Sequence, residues 1–580
     1  MGAFIIQHKN NFYPGFFENS VFTKMGFKKS ITLETSQYHI VFYKKIIAAI
    51  TQYYKNEKDH IFVVGTLIYK ELNLEESVKQ FLLDYKTGNL SANQTIGQFT
   101  ITIISNDEIS LFTDCSGISN IYYSSSAKTI SSSFLAVCEF EKQLKINKKA
   151  LAENLLTGAL IGPETIFTNI YRFDSNAEPN FQDINIIQFK NPEFEFRDKP
   201  RQQVISEQLD ILDGYFSSIK KTVAETRITI GLTGGFDSRL LMCFAERHFS
   251  NIEYFSHWRK TESAELKIAK ILAQSVSKEL MSYPVIHPLD MSEDQAIENL
   301  DQAFYHCDGH IRSQLYWHEA YNTLNYLKDV YQNNSLGLHG VGGEQYRNTE
   351  RIILPKWNFQ SWLKYEVLYR YSSNVFVTSS AEKEFIIWYS NKIKQKLDIK
   401  TDHSINKFTL KRYQNEIYNV SNRAVRSNFE NKAVFFLSPF AEGFVSTRAY
   451  EAIPYLGKSL SFQADMIKKI SPQLAQIDSD YGFNFYDGES LSSIASGYLK
   501  EVVPKKIFFN TYHYFKKGRS NHFYQTYLTR YDFMKELDDL LDTLKIDLDL
   551  KQHKSNKDTG WLLISTAYLL KKFKNKIQGI

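Results

Sequence analysis

The sequence predicts an α/β protein of more than one unit, on three observations. Strand and helix patterns alternate through the middle of the chain, the mark of a parallel sheet with covering helices. The residues before about 195 read as short strands separated by turn signals, with few long helices. The 580 residues also exceed what one hydrophobic core holds, so two or three domains are expected.

The elements follow in chain order. Phe99 to Gly117, FTITIISNDEISLFTDCSG, forms two alternating runs around Ser105-Asn106-Asp107, a hairpin signal. Lys148 to Leu160 has helical spacing and runs into Gly158. The polar stretch from Lys190 to Gln203, with Pro192 and Pro200, is the expected linker, dividing the chain into units 1–195 and 196–580. Gln208 to Glu225 is then periodic as a helix. After it come a strand at 228–232, a helix at 238–248, a strand from Ile252 to Ser256 and a helix from Ser263 to Glu279. From about residue 355 onward helical patterns dominate, and no internal repeat or low-complexity tract interrupts them.

Composition narrows the function classes. Hydrophobic residues make up 43% and aromatic residues 15%, which is ample for burial and unlike a disordered chain. The 69 basic and 64 acidic residues leave a net charge of +5, which points to neither nucleic acid nor a membrane surface. Cys115, Cys138, Cys243 and Cys307 are far apart and form no CxxC pair, so a disulfide framework or a structural zinc is not expected and a reducing compartment fits. No signal-peptide pattern opens the chain and no apolar run reaches about 18 residues, so a cytoplasmic, soluble protein is expected.

The chemistry-bearing stretch is ITIGLTGGFDSRLL, Ile228 to Leu241: a β-branched strand, a glycine turn and a helix start. Such a turn is an anion site, because the first N–H groups of a helix are unpaired and carry the positive end of its dipole. Gly234 and Gly235 let backbone approach a phosphate, and Thr233 and Ser238 add hydroxyls. The spacing is neither a Walker A loop nor GxGxxG. Asp237 beside phosphate donors makes sense with a divalent cation between them; the plain alternative is a tight turn with Asp237 or Ser238 as N-cap.

TGGFDS resembles the SGGxDS pyrophosphate loop of the asparagine-synthetase family and related ATP pyrophosphatases. An ordered series extends the resemblance over nearly the whole chain. GLHGVGGEQY (Gly337 to Tyr346) lies where the family carries GEGxDE, and FENKAVFFLSPFAE (Phe429 to Glu442) is similar to the segment ending in RVPFLD. YLKEVVPKK (Tyr498 to Lys506) is similar to LPEE…RxK. Upstream, GQFTITIISNDEISLFTDCSGISNIYY, SSSFLAVCEF and LLTGALIGPETIFTNIYRF follow the family's glutaminase pattern.

The resemblance implies an N-terminal Ntn-hydrolase-like αββα sandwich and a C-terminal parallel-sheet ATP-pyrophosphatase domain with a helical extension. It implies ATP and Mg2+ as cofactors, with Leu232, Thr233, Gly234, Gly235, Asp237, Ser238, His257 and Gly340 at the nucleotide. Asp237 and Glu344 would ligate magnesium. Lys505 or Lys506, with Glu344, would serve catalysis, a basic helix end being the other reading of the lysines. Arg239 would reach phosphate or substrate carboxylate, or form a surface ion pair. His257 would line the adenine pocket, or be a polar residue at a strand end.

Two departures matter. Working glutaminases of the family have a nucleophilic Cys after the initiator Met, whereas Gly2 and Ala3 follow Met1 here. The glutamine-binding Asn-Gly-Glu appears as Val64-Gly65-Thr66, so the unit reads as a structural remnant. In the GEGxDE segment the glutamate becomes Val341 and the aspartate Glu344. The expectation is an ATP-dependent, AMP-forming amide ligase lacking glutaminase activity. It would join a carboxylate and an amine on a small-molecule or peptide substrate, as in lasso-peptide cyclisation, and a homodimer is possible. Amidation of surface-polysaccharide sugar acids, ammonia-dependent asparagine synthesis and non-catalytic nucleotide binding are the alternatives.

Overall fold

The computed structural model describes the chain apart from residues 12–19, 125, 127, 176–183, 224–225, 259–262, 285–289, 312–322, 333–334, 349–357, 369–374, 401–404, 458–459, 490–493, 496–522, 555–556 and 580. The protein is mixed α/β. Its first strands are β1 (Ala3–His8), β2 (Lys29–Glu34), β3 (Tyr38–Tyr43), β4 (Tyr53–Lys55), β5 (Asp59–Gly65), β6 (Ile68–Tyr69) and β7 (Thr95–Ile96). They are followed by β8 (Phe99–Ser105), β9 (Glu108–Thr113), β10 (Tyr122–Ser124), β11 (Thr129–Ser131), β12 (Tyr171–Arg172) and β13 (Ile184–Gln188). One sheet runs β12-β10-β11-β1-β3-β2 and a second β13-β9-β8-β5-β4, with β6 and β7 forming a small separate pair.

Side-chain alternation builds four layers from these two sheets. Phe4 and Ile6 of β1 meet Phe62 and Val64 of β5 between the sheets. Ile61 and Val63, one residue out of phase, pack with Val78, Phe81 and Leu82 of the helix Leu74–Thr87. Ala3 and Ile5 face the helices Phe134–Phe140 and Lys148–Thr157. The order is helix, sheet, sheet, helix. The hairpin β8–β9 turns on Asn106 (φ 49°) and Asp107 (φ 73°), the two positive φ angles of a two-residue primed turn. Gly158, at φ 65°, ends the helix Lys148–Thr157.

A third sheet comprises β14 (Arg227–Gly231), β15 (Ile252–Trp258), β16 (Leu280–Pro284), β17 (Ser335–Leu338) and β18 (Phe435–Leu437). Its order is β16-β15-β14-β17-β18 and every pair is parallel. The helix preceding it, Arg201–Val223, begins seven residues earlier than the periodicity at Gln208 indicates, and the next, Phe236–His248, begins two residues earlier than 238. Among the described residues after 355 every named element is a helix except β18. Its three residues are buried on both faces, so they carry no alternation to read.

The two parts of the chain share core. Residues 3–170 and 255–577 contribute to one continuous apolar cluster. Polar bonds cross the same boundary. Asp308 accepts from the Ser133 hydroxyl (2.5 Å), Phe134 N (2.8 Å) and Leu135 N (3.2 Å), capping a helix that belongs to the other part.

Near this boundary, Glu430 is 1% exposed and lies 3.4 Å from Arg426. Burial raises its pKa from 4.5 to about 7, against the pull of the Arg426 guanidinium. The folded protein therefore holds the proton more tightly than the unfolded chain, and stability is lost as pH rises from about 4.5 through about 7. Glu430→Gln removes that loss: relative to wild type, the variant should gain about 2 kcal/mol between pH 5 and pH 8. Chemical denaturation at the two pH values checks this; a pH-independent difference would refute it.

Candidate functional site

The strand order reverses between β14 and β17, so the crevice at their carboxyl ends is the place where an open α/β sheet takes a ligand. Both strands end there in glycine turns, Thr233–Gly235 after β14 and His339–Gly343 after β17. The turns press against each other. A Cβ on Gly340 would lie 2.9 Å from the Asp237 carbonyl carbon, and one on Gly343 would lie 2.3 Å from Asp237 Oδ1. Gly342 has φ +94°, and a Cβ there would meet Phe440 and Ala441 backbone at 2.8 Å. Glycines in the second turn are therefore packing requirements that bring it onto Asp237.

The first turn is closed by its own hydroxyls. Ser238 Oγ accepts from Thr233 N (3.1 Å), donates to Thr233 O (3.1 Å) and lies 2.9 Å from Thr233 Oγ1, which accepts from Gly235 N (3.3 Å). The N-cap of the following helix is Gly235, not Asp237 or Ser238. Leu232, fully buried, fixes the strand end by donating its N–H to Phe255 O at 2.8 Å.

Arg239 corrects both of its sequence readings. It is 0% exposed and reaches neither solvent nor a surface acid. Its guanidinium donates to the carbonyls of Leu474 (3.1 Å), Ile477 (2.5 Å), Gly234 (3.2 Å) and Asp478 (2.8 Å), and lies 4.4 Å from the Phe485 ring centroid. Burial lowers its pKa to about 10. Arg239 thus ties the glycine turn to a strap, residues 478–486, that lies over it. Phe236 stacks on Phe485 at 4.0 Å and meets Tyr481 edge-on at 5.1 Å. A Cβ on Gly235 would be 3.8 Å from Asp480 Oδ1 and 3.9 Å from Tyr481 Cε2, so the strap forms one wall of the cradle.

Asp237 is held by a residue that sequence reading missed. Arg347 Nη2 donates to Oδ1 (2.9 Å) and Oδ2 (2.8 Å), and Gln463 Nε2 donates to Oδ1 (3.0 Å). Arg347 Nη1 donates to the Tyr481 hydroxyl at 3.1 Å, and the guanidinium lies 5.0 Å from the Phe236 ring centroid. Burial acts against the Arg347 charge, but Asp237, Tyr481 and Glu344 together raise its pKa above the usual value. No motif marks this arginine; the one signal in the chain is that it follows the second glycine turn by four residues.

The remaining predicted residues divide. Glu344 Oε2 accepts from Gly342 N (3.2 Å) and its carbonyl accepts from Lys411 Nζ (3.0 Å). Val341 packs against Ile118 and Ala441, which puts it in contact with the N-terminal part. His257 is enclosed by Phe255, Tyr283 and Tyr326, with ring centroids 5.6, 6.3 and 5.1 Å away. Burial, with Arg426 adding to it, lowers its pKa to about 3, so it is a neutral ring at physiological pH. Lys505 and Lys506 lie outside the described residues.

Arg347 engages the Asp237 carboxylate that a magnesium ion would otherwise use. Both Asp237 oxygens already receive charged N–H groups, and among the described residues no cluster of three His, Cys, Asp or Glu gathers that could hold a metal. No helix among the described residues is long and apolar enough to cross a membrane.

No family model matches the chain, and no curated protein matches it. Among solved structures, an NH3-dependent NAD synthetase from Campylobacter jejuni in complex with a nitrate ion is similar. The identity is 17%, over 38% of this chain and 95% of that chain, with a TM-score of 0.18. Similarity at that level carries no argument about fold or function, so the site stands on its own geometry.

Proposed function

We propose that the chain is an ATP-binding, AMP-forming carbon–nitrogen ligase of the ATP-pyrophosphatase type, carrying an Ntn-hydrolase-like N-terminal domain without glutaminase activity. The observation that supports it is the Thr233–Ser238 turn at the switch point of a parallel sheet, opening a helix and facing a second glycine turn. ATP would supply an activated α-phosphate for attack by a substrate carboxylate. The chain's part is positional and electrostatic. The Gly234–Gly235 backbone receives phosphate at the helix start, Thr233 and Ser238 hold that backbone in shape, and Arg347 brings a cation oriented by Asp237 and Tyr481. The amine then comes from the substrate or from free ammonia, with peptide or natural-product substrates preferred. A second reading, nucleotide binding without ligation, is favoured by one observation: Asp237 is engaged with Arg347 and Gln463.

Gly235→Val tests the cradle. The Cβ has only ordinary contacts, 3.5 to 3.9 Å, so the fold should survive while the added methyl groups fill the space a phosphate needs. ATP affinity should fall at least about tenfold by calorimetry, a loss of about 1.4 kcal/mol, with an unchanged melting curve. Equal affinity would remove the turn from the site. Release of AMP and pyrophosphate by the wild type with candidate carboxylic acids separates ligation from binding alone.

A further inference from the structure

Asp237 sits where a carboxylate beside a phosphate cradle needs a cation, and the structure supplies one from the chain. Arg347 spans both Asp237 oxygens, is steadied by the Tyr481 hydroxyl and packs against Phe236. It is 4% exposed, which rules out a loose surface pair. Its Nε is buried and makes no hydrogen bond. The fork geometry suits carboxylate and phosphate alike. A metal ion on Asp237 would have to displace this pair.

We propose that Arg347 is the resident cation of this site, standing on Asp237 where a divalent ion would otherwise bind, so that nucleotide phosphate is held there without a metal. The proposal rests on the nucleotide-binding reading above. It also gives the chain a property that glycine-turn motifs do not encode: a charge balance set internally, insensitive to free magnesium.

The test is equilibrium binding of ATP to the full chain in EDTA and in magnesium, for wild type, Arg347→Met and Asp237→Asn. Wild type should bind ATP in EDTA within about threefold of its affinity in magnesium. Arg347→Met should lose at least about tenfold in EDTA and regain affinity when magnesium is added, because Asp237 is then open to the ion. Asp237→Asn, which leaves the guanidinium charge uncompensated and needs no change of shape, should bind ATP in EDTA as well as wild type or better. Wild-type binding that collapses in EDTA, or Asp237→Asn binding that collapses in magnesium, overturns the proposal and makes Asp237 a metal ligand. ATP that binds in neither medium overturns the nucleotide reading itself. If Arg347→Met fails to fold, as its melting curve would show, the wild-type and Asp237→Asn measurements decide alone.

Discussion

Arg239→Met should destabilise the C-terminal part by about 4 kcal/mol and release the strap from the glycine turn. The arginine satisfies four carbonyls at once, those of Gly234, Leu474, Ile477 and Asp478, and no water reaches it, since it is 0% exposed. Methionine fills most of the stem's volume and keeps contact with Phe485, so the loss reports the guanidinium rather than a cavity. Leaving buried carbonyls without donors costs about 1–3 kcal/mol each when relaxation does not rescue them; strap movement rescues some. Arg239→Lys keeps the charge, but a single ammonium cannot span four acceptors, so it should recover less than half. Thermal melting gives the size of the effect, and limited proteolysis gives its place, with cleavage rising first around the exposed Tyr481. Two variants that melt within about 1 °C of wild type would show that the strap is held by its aromatic stack alone.

The same strap shows where sequence reading stops. The glycine turn was legible because it obeys local rules: a β-branched strand, two glycines, a helix. The hairpin at Asn106-Asp107 was legible for the same reason. The partners of the turn were not. Arg239 follows the motif directly, and adjacency suggested a ligand contact, yet the helix turns its side chain inward to residues 474–478, more than 230 positions away. Arg347 has no spacing rule relative to Asp237, because their approach depends on two glycine turns meeting across neighbouring strands. β18 was missed because Phe435-Phe436-Leu437 is apolar on both faces and too short to outweigh the helical context around it. In each case the information lies in contacts between distant segments, which periodicity does not record.

Gly2→Cys would place a thiol directly after Met1, the position at which a glutaminase of the resembled type needs its nucleophile, and it should yield no glutaminase. Gly2 is not an empty place awaiting a thiol. Its N–H pairs with Tyr43 O at 2.9 Å, and a Cβ there would lie 2.5 Å from Phe27 Cε1, 2.7 Å from Lys432 O and 3.1 Å from Lys44 O. Two of those neighbours are backbone carbonyls, and one of them comes from the other part of the chain. The Val64-Gly65-Thr66 segment is committed to packing in the same way. Thr66 Oγ1 donates to Asn431 Oδ1 (2.7 Å) and accepts from Phe436 N (2.9 Å), while Gly65, at φ +101°, lies against Gln98 O. These positions join the two parts of the protein. Overpacking should therefore cost about 3 kcal/mol, and Gly2→Ala should cost nearly as much, because the clash begins at Cβ. Melting of both variants and release of ammonia from glutamine by Gly2→Cys check the argument. A cysteine variant that melts like wild type would show that the space is open, and ammonia release would show that a thiol at this position suffices for glutaminase chemistry.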